Sequence, residues 1–144
     1  MTNKKILIVD DDPLIGKMYY TKLSADGYKV NIATNGEEAV IAVKKERPDL
    51  IFLDVMMPKM NGVETLKTLK TDPQTSGIPV IILTNLGDKP EDMKKAKALG
   101  ALDYLVKSQI SLKQLSDKAK QIIESSPDTL ATLSGGAQWD SFFK

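Results

Sequence analysis

The sequence predicts an α/β domain: a doubly wound parallel sheet of five strands with five helices on its two faces. Three observations carry this prediction. Apolar runs at 5–10 (KILIVD), 50–54 (LIFLD) and 79–84 (PVIILT) lack the polar alternation of a half-exposed strand, so each reads as a strand covered on both sides. Between the strand runs lie segments with apolar residues at helical spacing. Strict strand and helix alternation then requires a parallel sheet closed by right-handed crossovers.

Taken in order, 5–10 ends in Asp10 and is followed by Asp11, Asp12 and Pro13. Asp12 is the expected N-cap and Pro13 the first residue of a helix in which Leu14, Ile15, Met18, Tyr19 and Leu23 fall at helical spacing, ending at Gly27. Residues 29–33 (KVNIA) read as a shorter, more exposed strand, and Asn35 with Gly36 opens a helix carrying Ala39, Val40 and Val43. Pro48 and Asp49 turn the chain into the strand that delivers Asp54. After Gly62 comes a helix with Val63, Leu66 and Leu69, stopped at 71–73 (TDP). The strand 79–84 ends on Thr84, and Asp88, Lys89 and Pro90 start a helix through Met93, Ala96 and Leu99 to a C-cap at Gly100. Residues 102–106 lead to Lys107, and Ser111 with Gln114 forms a capping box for a last helix with Leu112, Leu115, Ala119, Ile122 and Ile123 on one face.

Composition narrows the chemistry. The 144 residues suit one core, and 20 basic against 19 acidic side chains give a net charge of +1, with no overall field for nucleic acid or an anionic membrane. Without cysteine there are no disulfides, zinc–thiolate sites or thiol nucleophiles. Without histidine there is no Ser-His nucleophile and no histidine-ligated metal. The first residues, MTNKKILIV, lack a long apolar run, so a cytoplasmic protein is expected.

In a sheet of this kind the ligand site lies at the C-terminal ends of the strands, where strand order reverses. The sequence brings Asp10, Asp11, Asp54, Thr84 and Lys107 to that edge. Two carboxylates about 4 Å apart repel by roughly 4 kcal/mol at an effective dielectric near 20, so three acids imply a cation. Oxygen ligands in a chain without histidine or cysteine favour Mg²⁺ over a transition metal. Capping of the first helix would explain one of the acids that follow the first strand, not all of them.

These residues resemble the receiver domains of two-component response regulators, of the stand-alone, chemotaxis type. The resemblance covers about residues 4–124 and rests on Ile8-Val9-Asp10-Asp11, the segment 54–62 (DVMMPKMNG), Thr84 and Lys107 in that order. It implies a flavodoxin-like sheet in the order 2-1-3-4-5 and a protein that is a switch, at most phosphorylating and dephosphorylating itself. Asp54 would be the phospho-acceptor. Asp11, Asp54 and the Met56 carbonyl would bind Mg²⁺ with help from Asp10 through water. Thr84 and Lys107 would contact the phosphoryl group, and Tyr104 would follow the state of Thr84. The donor would be a histidine kinase or histidine phosphotransfer protein. Output would pass to another protein through the face carrying Lys94, Lys95, Lys97 and Tyr104, with no direct DNA binding and no membrane contact. Lys107 is followed by Ser108 where the family usually has proline, so no cis peptide is expected there.

Residues 125–144 read as a tail to a receiver spanning 1–124, and Trp139, Phe142 and Phe143 call for a surface that buries them. Residues 138–142 (QWDSF) resemble the pentapeptide that tethers adaptation enzymes to some chemoreceptors. Two other functions use similar parts. A haloacid dehalogenase-type phosphatase needs a second acid two residues after the nucleophile, where this chain has Met56. A flavin-binding module would cradle phosphate with hydroxyls and amides where this chain has Asp10, Asp11 and Asp12.

Overall fold

A computed structural model describes residues 3–57, 60–85 and 89–125. Ten elements alternate along them: β1 (Lys5–Val9), α1 (Pro13–Ala25), β2 (Lys29–Ala33), α2 (Gly36–Lys45), β3 (Leu50–Asp54), α3 (Gly62–Thr71), β4 (Val80–Thr84), α4 (Pro90–Ala98), β5 (Asp103–Val106) and α5 (Leu112–Ile123). The strands pair in parallel in the order β2-β1-β3-β4-β5, as expected. Connections from β1 run outward in both directions, so the crevice where ligands bind opens between β1 and β3.

Side-chain alternation divides the core in two. Leu7, Val9, Ile51, Leu53, Val80 and Ile82 face α2, α3 and α4, where Ala39, Val43, Leu66, Leu69, Met93 and Ala96 meet them. Ile6, Ile8, Leu50, Phe52, Ile81 and Leu83 face α1 and α5 through Tyr19, Leu23, Leu115, Ala119 and Ile122. Every residue of β3 and β4 is buried, which is why those stretches are apolar without alternation. The edge strand β2 buries only Val30 and Ala33.

The helix starts follow local chemistry. The Asp12 carboxylate accepts from the backbone N–H groups of Leu14 at 2.9 Å and Ile15 at 3.4 Å. Asn35 and Asn61 cap α2 and α3 in the same way, and Ser111 and Gln114 form the reciprocal box on α5. Gly27 and Gly100 follow α1 and α4 with φ of 99° and 107°, the left-handed region that glycine enters without strain. Lys89 occupies the N-cap position of α4 without a side-chain bond; the expected start at Asp88 lies outside the described residues.

Two features depart from what spacing suggests. Leu14 and Met18 share the helical spacing but do not point inward and are 66% and 43% exposed. Tyr19 and Leu23, with Gly16 beside them, form the stripe that meets the sheet. Met18 lies one position, about 100°, before Tyr19, and Leu14 lies one turn before Met18; with Leu112 they line an apolar groove of about 550 Å³ between α1 and α5. The last strand begins at Asp103 rather than Leu102. Asp103 is buried and held at 2.8 Å by Lys118, an ion pair tying β5 to α5 that sequence spacing does not reveal.

The tail 126–144, with Trp139, Phe142 and Phe143, lies outside the described residues. The ten elements form both core layers before Ser125. Truncation after Ser125 is therefore expected to preserve the far-UV circular dichroism and a cooperative thermal transition near that of the full chain. A truncated chain that melts without cooperativity would make the removed residues part of the core.

Candidate functional site

Asp10 directly follows β1, Asp54 closes β3, Thr84 closes β4 and Lys107 follows β5, so the sheet delivers four predicted residues to one edge. Alternation decides which of them meet. Asp10 continues the row of Ile6 and Ile8, Asp54 that of Leu50 and Phe52, and Lys107 that of Leu105, all on the α1 and α5 side. Thr84 continues the row of Val80 and Ile82 on the opposite side.

The geometry follows from that parity. Lys107 Nζ lies 2.7 Å from Asp10 Oδ2 and 3.1 Å from Asp54 Oδ2, with side-chain exposures of 7%, 0% and 2%. Turn amides hold the other carboxylate oxygens: the Asp12 N–H donates to Asp10 Oδ1 at 2.9 Å, and the Met56 N–H donates to Asp54 Oδ1 at 3.2 Å. Burial pushes the Asp54 carboxyl up to about 7 against the pull of Lys107, and the Asp10 charge pushes the same way. Burial opposes the charge on Lys107, but the two acids outweigh it and hold the ammonium above the ordinary lysine value. The phenol of Tyr19 is raised by burial, and it feels Lys107, Asp10 and Asp54. Sequence reading placed Tyr19 in the core and missed this proximity, although its helical stripe faces the same side of the sheet.

The donor set fits a hard cation. Asp11 is exposed at the rim, and one carboxylate oxygen from each of Asp10, Asp11 and Asp54 falls within 4.8 Å of the others. Asp10 Oδ2 is buried, and the contact it makes is with the Lys107 ammonium. Three carboxylates against one ammonium leave a net deficit of two positive charges, which suits a divalent ion with oxygen ligands. Met56 follows in the turn above Asp54, and its side chain is half exposed.

On the other side of the sheet Thr84 is buried, and its hydroxyl donates to the Asn85 carbonyl at 3.2 Å. The Lys107 N–H donates to the Thr84 carbonyl at 2.8 Å, so the ends of β4 and β5 are joined where the two predicted phosphoryl contacts sit. Tyr104 pairs with Ile82, two residue pairs back from Thr84 and Val106, and its partly buried ring packs on the α3 and α4 side. No peptide bond among the described residues is cis, and with Ser108 after it Lys107 reaches both acids.

The sequence matches the family described as response regulator receiver domain over residues 6–120. It is 40% identical over 135 residues to a probable transcriptional regulator ycf27 of Cyanophora paradoxa, covering 93% of this chain and 54% of that one. It is also 40% identical over 124 residues to the alkaline phosphatase synthesis transcriptional regulatory protein PhoP of Bacillus subtilis, covering 86% and 50%. The chain thus spans about half the length of these curated relatives. Among solved structures, chemotaxis response regulator CheY4 of Vibrio cholerae superposes with a TM-score of 0.76 at 34% identity, covering 84% of this chain and 99% of that one. A CheY-like receiver domain protein of Methanospirillum hungatei gives 0.79 at 27% identity, covering 91% and 98%.

Removing one partner of a buried ion pair typically costs about 3–5 kcal/mol, because the remaining charge is left uncompensated. Lys107→Met is therefore expected to lower the urea unfolding free energy by about 3 kcal/mol in metal-free buffer. Millimolar Mg²⁺ is expected to return part of that loss. Unchanged stability would mean that the lysine does not hold the two acids together in solution.

Proposed function

The chain belongs to the response regulator receiver domain family, and on that premise we propose that it is a switch set by phosphorylation of Asp54. The observation that carries this reading is the buried Asp54 carboxylate beside Lys107 and Asp10 at the switch point of the sheet. Asp54 Oδ would attack the phosphorus of a phosphohistidine on a partner kinase or phosphotransfer protein. The P–N bond breaks, the imidazole leaves and takes up a proton, and Asp54 becomes an acyl phosphate. Hydrolysis returns the carboxylate and inorganic phosphate. The chain is then a substrate and a switch rather than a turnover enzyme, apart from accepting small phosphodonors and losing its own phosphate.

Mg²⁺, held by Asp10, Asp11, Asp54 and the Met56 carbonyl, would supply positive charge to the phosphoryl oxygens when bound. Lys107 would exchange its contacts with the acids for a phosphoryl oxygen, and the Thr84 hydroxyl would turn to another. Moving a two-state equilibrium from 1:99 to 99:1 takes roughly 5.5 kcal/mol, and a charge-assisted hydrogen bond supplies about 1.5–3. Two contacts together reach about 3–6 kcal/mol, close to the amount needed, where one falls short. Because Tyr104 shares the Thr84 side of the sheet, displacement of Thr84 would be felt at the face of α4, β5 and α5, with Lys94, Lys95 and Lys97. Output through that face to a protein partner, in the cytoplasm and without direct DNA contact by residues 1–124, completes the proposal. No helix among the described residues is long and apolar enough to cross a membrane.

Incubation with acetyl phosphate and Mg²⁺ should add one phosphoryl group by intact-mass measurement, and Asp54→Asn should add none. Label that persists in Asp54→Asn would place the acceptor elsewhere. Asp11→Asn is expected to weaken Mg²⁺ binding by at least tenfold in calorimetric titration without loss of stability, because it relieves like-charge repulsion. An unchanged affinity would remove Asp11 from the ligand set. Phosphorylated Thr84→Ala should show only part of the wild-type NMR shift change around Tyr104. The full change would leave the hydroxyl without a role in transmission.

A further inference from the structure

Behind Asp54 three segments approach more closely than side chains normally allow. A Cβ on Gly62 would lie 2.2 Å from the Asp54 carbonyl oxygen and 2.6 Å from Val55 Cα. A Cβ on Gly36, the first residue of α2, would lie 2.1 Å from Thr65 Oγ1, 2.3 Å from the Met60 carbonyl oxygen and 2.8 Å from Met60 Cβ. Backbone conformation does not require glycine at either position, since positive φ among the described glycines is confined to Gly27 and Gly100. Contact does. Thr65 is fully buried, and its hydroxyl donates to the Asn61 carbonyl at 2.8 Å and, more weakly, to the Met60 carbonyl at 3.3 Å. The Gly62 N–H donates back to the Val55 carbonyl at 2.9 Å.

The stretch from Met60 to Gly62 is thus fixed on two sides, by the first turn of α2 and by Thr65. Through Gly62 it rests directly on the backbone of Asp54 and Val55. We propose that Gly36 and Thr65 are positioning residues for the site: from α2 and α3, two helices that contribute no ligand, they fix the Met60–Gly62 stretch that rests on the backbone of Asp54 and Val55, and so set how Asp54 presents its carboxylate. Neither residue is among the proposed phosphoryl contacts. A methyl group at position 36 cannot be absorbed by one rotamer change, because its second obstacle is the Met60 carbonyl, which is backbone. Either α2 withdraws or the loop shifts toward Asp54.

The inference rests on Asp54 as acceptor, and the test separates the two. Wild type, Gly36→Ala, Thr65→Val, Thr65→Ser and Asp54→Asn are compared for Mg²⁺ affinity by calorimetry, for acetyl phosphate-driven phosphorylation at saturating donor, and for thermal unfolding. Loss of supporting residues around a metal site typically costs 10- to 100-fold in affinity or activity. Gly36→Ala is expected to remain folded, with Mg²⁺ affinity and saturating rate each reduced roughly tenfold or more. Thr65→Val, which keeps the shape and loses the hydroxyl, should weaken both several-fold, and Thr65→Ser should restore them. Wild-type affinity and rate in Thr65→Val, whether or not Gly36→Ala folds, would overturn the proposal and leave both residues as packing. Phosphorylation surviving in Asp54→Asn would instead remove the premise.

Discussion

One ammonium group shared by two buried carboxylates is the interaction on which the rest of this structure depends. Lys107 lies 2.7 Å from Asp10 and 3.1 Å from Asp54, and all three side chains are almost wholly buried. At an effective dielectric near 20 each contact is on the order of 5 kcal/mol, while the acids repel one another by a comparable amount. The cluster holds together only because charge is shared, and it is one positive charge short even before Asp11 is added at the rim. A buried group of this kind responds strongly to a change in local charge. A phosphoryl group on Asp54 would add nearly two negative charges at the point where the lysine already divides its attraction.

The fold supplies what such a cluster needs. Strands covered on both faces end in backbone groups that cannot move far, and turn amides from Asp12 and Met56 hold one oxygen of each acid. The close packing of Gly36, Thr65, Met60 and Gly62 continues this rigidity behind Asp54. Thr84, one strand away and on the opposite side of the sheet, is linked to Lys107 through the backbone bond between β4 and β5. In the proposed switch, one charge change at the edge would reach both sides of the sheet, toward α5 through Lys107 and toward α4 through Thr84 and Tyr104.

Much of this was legible in the sequence because it is governed by local rules. Apolar runs without alternation gave β1, β3 and β4, and the cap residues Asp12, Asn35 and Ser111 marked helix starts. The residues at the strand ends pointed to the site. What escaped depends on contacts between distant segments. The inward face of α1 is narrower than its apolar spacing, because Leu14 and Met18 fit that spacing yet face a groove rather than the sheet. The Asp103–Lys118 pair joins a strand residue to a helix residue 15 positions on, a separation that no local rule marks. Gly36 read as a helix start, and only the approach of Met60 and Thr65 shows why a side chain does not fit there. That Lys107 leans on Asp10 more closely than on Asp54 has no sequence signature beyond the shared parity of the three strand ends.

The most direct measurement of the central claim is a crystal structure of the protein with Mg²⁺ and beryllium fluoride, an acyl phosphate mimic. The account predicts beryllium fluoride on Asp54, with Lys107 Nζ withdrawn from Asp10 and bonded to a fluoride. A mimic bound at Asp54 while Lys107 stays in its present contact with Asp10 would contradict it.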